Sequence, residues 1–196
     1  MKVCILMGSP RKEGNTASLL APFIDELKSK GCECKTVYLY DKNLKPCIAC
    51  RCCQQDWSIF GCSQNDDMQE IFDLIMKSEL IVFATPIYSW YCTPPVKMVL
   101  DRMVYGMNKF YGEEKGPALW AGKSLASFVT CGYRPENGAD LWETGLKRYC
   151  KHSSLKHLGM VAERHMGYNR EFMDEKKAEH AREFAKEIYI KAKGSE

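Results

Sequence analysis

The sequence predicts an α/β fold, a doubly wound parallel sheet of five strands with helices on both faces in a three-layer α/β/α arrangement. Three observations predict it. Apolar runs of strand length alternate with stretches of helical periodicity along the chain. The first run, Val3 to Met7, is continuously apolar, as a strand covered on both faces is. It passes directly into Gly8-Ser9-Pro10-Arg11-Lys12-Glu13-Gly14-Asn15-Thr16, a loop with the composition of an anion-binding turn at a helix start.

The remaining elements follow in order. Leu19, Leu20, Phe23, Ile24 and Leu27 recur at helical spacing, and Gly31 follows as a stop signal. Pro22 lies inside that pattern. An interior proline costs about 3 kcal/mol, which predicts a kink or a late effective start. Thr36 to Leu39 reads as the second strand. Asp67 to Lys77 reads as a helix with a capping-box-like start from Asp67 and Glu70, and Met68, Ile71, Phe72 and Ile75 share one face. Leu80 to Ala84 is the third strand. Pro94 and Pro95 favour a helix start and predict a helix over Val96 to Tyr105. Ser124 to Thr130 is the fourth strand, a helix lies around Leu141 to Tyr149, and His157 to Val161 carries the fifth strand. Ala178, Ala181, Ala185 and Ile188 place a last helix from about Asp174 to Ala192.

The 196 residues are 45% hydrophobic and 27% charged, which suits a single soluble domain spanning 1–196 with a cysteine-rich insertion at about 40–66. A formal charge of +3 with interspersed signs argues against a nucleic-acid partner. No apolar stretch approaches the roughly 18 residues of a membrane span, and the start lacks a signal-peptide pattern. The expectation is a cytoplasmic protein. Eleven cysteines, an odd number, do not read as a secreted disulfide scaffold.

Three unusual loops follow the first, third and fourth strands. With the strand order 2-1-3-4-5 of flavodoxin, they share one edge of the sheet and can share one ligand. The first offers Ser9, Arg11, Gly14, Asn15 and Thr16, with Lys12 beside them, to a terminal phosphate. It is neither a Walker loop nor a dinucleotide fingerprint, and its alternative reading is an ordinary turn. The second, Thr85-Pro86-Ile87-Tyr88-Ser89-Trp90-Tyr91, would let Tyr88 and Trp90 flank a flat ring. The third, Cys131-Gly132-Tyr133, adds a close backbone approach and another aromatic. Phosphate at one end and a flat heteroaromatic at the other describe a mononucleotide such as FMN; packing or a subunit contact is the alternative for each aromatic.

The phosphate loop, Asp66-Asp67-Met68 before a helix, Thr85-Pro86-Ile87-Tyr88-Ser89, and Val96-Lys97-Met98-Val99-Leu100-Asp101-Arg102 together resemble the NADPH-dependent FMN reductase and iron–sulfur flavoprotein group of the flavodoxin-like superfamily, over roughly residues 1 to 135. The resemblance implies that Ser9, Arg11, Gly14, Asn15 and Thr16 hold the FMN phosphate. It implies that Pro86 to Trp90 lie against the isoalloxazine and that Cys131, Gly132 and Tyr133 close its other side. It also implies NAD(P)H as a transient donor and a quinone, azo, nitro, metal or protein electron acceptor. Relatives of the group commonly form dimers or dimer pairs. Trp90, Tyr91, Trp120 and the segment Tyr105 to Tyr111 therefore suggest a subunit contact near the flavin. A non-enzymatic flavin electron carrier is the alternative function.

Cys47, Cys50, Cys53 and Cys62 resemble the compact cluster motif of iron–sulfur flavoproteins, where soft thiolates hold a [4Fe–4S] cluster. Zinc could use the same ligands. Against a cluster stand the eight residues between Cys53 and Cys62, which include Trp57, Ile59 and Phe60, and the extra thiol of Cys52. A loop of buried or redox-active thiols without metal is the preferred reading. The four histidines show no metal spacing, and no catalytic acid or base is assigned, since flavin hydride chemistry belongs to the cofactor.

Overall fold

The computed structural model describes residues 1–167 and 169–193; the last residues of the expected domain, 194–196, lie outside them. Five parallel strands form one sheet in the order β2-β1-β3-β4-β5: β1 (Lys2–Met7), β2 (Glu33–Tyr38), β3 (Leu80–Pro86), β4 (Ser124–Cys131) and β5 (Lys156–Arg164). Helices α1 (Asn15–Ser29) and α6 (Glu175–Lys193) cover one face, and α2 (Met68–Met76), α3 (Pro94–Met107) and α5 (Asp140–His152) the other; the single turn α4 (Pro135–Gly138) precedes α5. The core is accordingly split by the sheet. Val3, Ile5 and Met7 meet Leu19, Phe23, Leu27 and Phe184 on one face, while Cys4, Leu6, Ile81 and Phe83 meet Ile71, Val99, Met103 and Trp142 on the other. No helix among the described residues is long and apolar enough to cross a membrane.

Four expectations need correction. Helix α1 starts directly after the phosphate loop and runs unbroken through Pro22. Pro22 sits on its partly exposed side, where water can satisfy the carbonyl of Ser18. The second strand is Glu33–Tyr38, and Leu39 opens a short 3-10 turn instead. At the start of α2, the Asp67 carboxylate accepts from Asn43 N–H at 2.8 Å, and Asp66 accepts from Met68 N–H at 3.2 Å in its place. Strand β5 is longer than expected because it lies at the sheet edge and is only half buried, so it lacks a continuous apolar run.

Candidate flavin cleft and cysteine pocket

The carboxyl ends of the strands stay hydrogen-bonded past the sheet proper. Gly8 N–H donates to Ala84 O at 2.7 Å, Ile87 N–H to Thr130 O at 2.8 Å, and His165 N–H to Cys131 O at 3.0 Å. Four loop starts are thereby fixed side by side. Only glycine fits at Gly8, where a Cβ would stand 2.2 Å from Val96 Cγ2 and 2.9 Å from Thr93 Oγ1. Thr93 Oγ1 donates to Gly8 O at 2.7 Å, which ties the phosphate loop to the start of α3.

Between these loops lies a cleft lined by Ser9, Arg11, Asn15, Thr16, Pro86, Ile87, Tyr88, Thr130, His165, Gly167 and Arg170, with an empty volume of about 730 Å3 including its mouth. No carboxylate is among the described residues that line it. No side chain caps α1, so the donors of its first turn remain for a ligand. Ser9 is folded back on its own loop: its Oγ accepts from Arg11 N–H at 3.2 Å and donates to Arg11 O at 3.1 Å. The hydroxyls of Thr16 and Thr130 meet at 2.9 Å across the base of the cleft. Two arginines, a helix start and several hydroxyls suit a phosphate dianion.

A contiguous hollow continues the cleft past Ile87, Tyr88 and His165 to Ser89, Trp90, Cys131, Gly132 and Tyr133. Here the chain turns tightly. Tyr88 and Tyr91 exchange backbone bonds at 2.8 and 3.0 Å, and Ser89 and Trp90 between them both take left-handed conformations, φ 49° and 63°. Turns of this kind favour Asn-Gly; Ser-Trp is a strained choice. The Trp90 ring stacks on Tyr133, with centroids 5.8 Å apart and an interplanar angle of 13°. The pair therefore forms one exposed aromatic platform. Tyr88 lines both the cleft and the hollow, and Trp90 lines the hollow. The Cys131 thiol is pushed up to about 11, chiefly by burial, and donates to Tyr133 O at 3.3 Å; it is a neutral wall of the hollow.

The cleft gathers most of the expected phosphate and ring residues. Lys12 is an exception, because its ammonium pairs with Asp41 at 2.5 Å and lies over the Tyr38 ring, outside the lining. Gly14 shapes the loop from behind, its N–H donating to Arg11 O at 3.2 Å. Thr130, His165, Gly167 and Arg170 were missed. The signal for the last three was present: with β5 read through to Arg164, the crevice rule brings His165, Gly167 and Arg170 to the same edge. Two of the expected contact aromatics lie elsewhere. Trp120 is core, 1% exposed, its Nε1–H donating to Asn108 Oδ1 at 2.9 Å. Tyr105 packs on Tyr111 beside the cysteines, away from the cleft.

The cysteine-rich segment builds a second pocket on α3 that shares no residue with the cleft. Cys47, Cys50, Cys53 and Cys62 all line it, with Phe60, Arg102 and Tyr105. The long gap before Cys62 does not carry that thiol away. Phe60 is buried, stacked on Phe72 at 5.0 Å, and the chain returns Cys62 to its three partners. Ala49 and Arg51, both left-handed at φ 54° and 61°, bend the loop around the pocket. The loop is held by buried side chains. Lys109, fully buried, donates to Cys53 O at 2.6 Å and to Ile59 O at 2.7 Å. Burial pulls the Lys109 ammonium below its ordinary value. Gln54 bridges Tyr105 O at 2.6 Å and Tyr111 N–H at 3.0 Å. Arg102 is paired with Asp66 out of contact with solvent. Burial raises the Asp66 carboxyl, yet Arg102 and the N–H groups of Lys45 and Met68 outweigh it and hold the carboxyl below its usual range.

The thiols differ among themselves. Hydrogen bonds with Ser63, at 3.2 Å, and with Cys52 lower Cys50, whereas burial raises Cys53. Among the described residues, no group of three or more potential ligands converges on a point that would hold one metal ion. A single zinc ion needs such convergence. What the pocket does show is a donor set: the thiols of Cys47, Cys50, Cys53 and Cys62 line one hollow.

Residues 1–140 match the NADPH-dependent FMN reductase family. The chain belongs to that family. It is 35% identical over 107 residues to an iron–sulfur flavoprotein of Archaeoglobus fulgidus, covering 54% of this chain and 47% of that protein. It is 32% identical over 127 residues to an iron–sulfur flavoprotein of Methanosarcina thermophila, covering 63% of this chain and 64% of that one. The chain thus spans about half to two thirds of the length of these relatives. In fold it resembles an NAD(P)H:quinone oxidoreductase from Methanothermobacter marburgensis, with a TM-score of 0.75, 18% identity and 96% of each chain covered.

Proposed function

We propose that this chain is an FMN-dependent oxidoreductase that takes reducing equivalents from NAD(P)H and passes them to a small-molecule or protein acceptor. One observation carries the reading. A cleft at the start of α1, lined by two arginines and no carboxylate among the described residues, shares Ile87, Tyr88 and His165 with an aromatic hollow at the topological switch point. When bound, FMN supplies the hydride-accepting and hydride-donating chemistry at its N5.

The residues of the chain then have separable tasks. Ser9, Arg11, Asn15 and Thr16, with the first-turn N–H groups of α1, hold the phosphate; Arg170 and His165 approach it from the β5 side. Ser89 and Trp90 N–H groups, which are not used in backbone bonds among the described residues, would be available to polar atoms of the ring. The Trp90–Tyr133 platform would lie against the flavin ring. Purified protein reconstituted with FMN should bind one flavin per chain and oxidise NADH or NADPH in steady state with a quinone present. Flavin binding without turnover would favour the electron-carrier reading instead, to which the cysteine pocket lends support.

By analogy with the relatives named iron–sulfur flavoprotein, Cys47, Cys50, Cys53 and Cys62 would hold a [4Fe–4S] cluster, which supplies one-electron chemistry. The chain is also proposed to be a cytoplasmic homodimer or tetramer without nucleic-acid or membrane partners. Tyr88, Trp90 and Tyr133, exposed by 47%, 48% and 60% at the cleft rim, are candidates for the subunit contact. Light scattering at micromolar concentration should give at least twice the chain mass, 22.5 kDa.

A further inference from the structure

We propose that Arg102 is the built-in counter-charge and positioning donor of the cysteine pocket, oriented by Asp66 to stabilise a negatively charged thiolate-bound centre. The inference rests on the reading of the four cysteines as ligands of such a centre. It adds to that reading a residue that is not a ligand.

The geometry is specific. Arg102 lines the pocket although it is only 3% exposed. Its Nη2 donates to Cys62 Sγ at 3.1 Å. Its Nη1 is committed elsewhere, to Asp66 Oδ2 and, at 3.3 Å, to Lys45 O. Those two bonds fix the fork from behind. The guanidinium carbon lies 6.0 Å from the Phe60 ring centroid, so the group is held on that side as well. Its Nε is buried and has no partner among the described residues. A buried, unsatisfied donor on a cation is costly, typically about 1–3 kcal/mol or more. Here it belongs to a side chain that lines a pocket of thiols, where an acceptor would satisfy it.

The charge argument points the same way. Four cysteine thiolates around a [4Fe–4S] core carry net negative charge, and one more on reduction. A cation in low dielectric stabilises that charge, and hydrogen bonds to the sulfurs raise the reduction potential. Asp66 offsets part of that charge, but it binds the Nη1 arm and leaves the Nη2 donor on Cys62. It orients the guanidinium in the way that second-shell carboxylates orient ligands.

The test is anaerobic reconstitution of the full chain with iron and sulfide. Wild type, R102K, R102Q and the double variant D66N/R102Q would be compared. The double variant removes the buried charge pair together, so it guards against misfolding from an orphaned carboxylate. Iron and acid-labile sulfide per chain, retention under a chelator, and the midpoint potential by electron paramagnetic resonance are measured, with FMN content read separately from absorbance. Wild type should take up about four irons per chain. R102Q and the double variant should lose iron to the chelator at least tenfold faster. Their centre should be about tenfold harder to reduce, a fall of about 59 mV for one electron. R102K should restore part of both. Wild type that takes up no iron, with FMN bound normally, overturns the cluster reading and this inference with it, while the flavin reading stands. Full iron uptake with unchanged retention and potential in the Arg102 variants overturns this inference alone.

Discussion

The flavin cleft and the cysteine pocket lie on one domain but are held by different means. The cleft is fixed by backbone: each strand end extends the ladder by one bond, Gly8 to Ala84, Ile87 to Thr130, His165 to Cys131. The side chains at its mouth are largely exposed and adjustable. The cysteine pocket has no ladder. Its loop is fastened to α3 by long-range side-chain bonds from Arg102, Lys109 and Gln54, separated from their partners by about 40–57 residues in sequence. A backbone-built site tolerates side-chain changes and loses affinity by increments. A site built from buried charges fails at single substitutions.

The largest expected effect tests the second half of that contrast. Asp66→Asn leaves the Arg102 guanidinium buried without its counter-ion. Breaking a buried pair from one side costs about 3–5 kcal/mol. Urea unfolding of D66N should show that loss, and D66N/R102M should recover a substantial part. A loss below about 1 kcal/mol would mean that the pair is solvated and worth no more than a surface one, and the contrast would fail. The same pair sets an acid limit. Asp66 is held below its ordinary value, so its stabilisation is complete above the unfolded carboxylate value of about 3.9 and is lost as pH falls through the lower folded value. Between pH 5 and about pH 2, wild type should therefore lose more stability than D66N/R102M. Parallel losses in the two proteins would remove Asp66 from the account.

The contrast also explains what the sequence made legible. Alternating apolar runs and helical periods carried the strand order, because each element signals locally. The phosphate loop and the Tyr88–Tyr91 turn were legible for the same reason, being contiguous stretches at strand ends. His165 and Arg170 were hidden by a half-buried edge strand that was read three residues short, ending at Val161 where β5 runs to Arg164. The supports of the cysteine pocket were not legible at all. Lysine and arginine are almost never fully buried, so no sequence signal marks Lys109 and Arg102 as interior groups. Their burial follows only from where the loop of residues 47–62 comes to rest. Trp120 erred in the opposite sense: an aromatic suited to a contact surface became core once Asn108 supplied an acceptor for its N–H.

A middle-sized effect tests the cleft. Arg11→Ala should weaken FMN binding by about 1.5–3 kcal/mol, the scale of a charge-assisted hydrogen bond. That is roughly a tenfold to 150-fold rise in Kd by titration of flavin-free protein. The unfolding midpoint of flavin-free protein should stay close to wild type, since Arg11 is exposed and the loop is anchored through Gly8 and Thr93. Unchanged FMN affinity would remove the phosphate assignment from this loop.

The smallest effect concerns the one place where the cleft departs from a relaxed ladder. Ser89 sits at φ 49° between Tyr88 and Tyr91, which close the turn with two backbone bonds. A left-handed conformation costs a non-glycine residue roughly 1–2 kcal/mol. Glycine removes that cost but loses about 0.5–1 kcal/mol through the greater freedom of its unfolded chain. Ser89→Gly should therefore raise the stability of flavin-free protein by about 1 kcal/mol or less. Trp90 should keep its stack on Tyr133, because the neighbouring Tyr88–Tyr91 bonds hold the turn closed. Near-ultraviolet circular dichroism, to which the Trp90–Tyr133 pair contributes, should be preserved in S89G. A loss of stability in this variant would show that the Ser89 side chain itself holds the turn. The ring end of the cleft would then depend on side-chain contacts, as the cysteine pocket does.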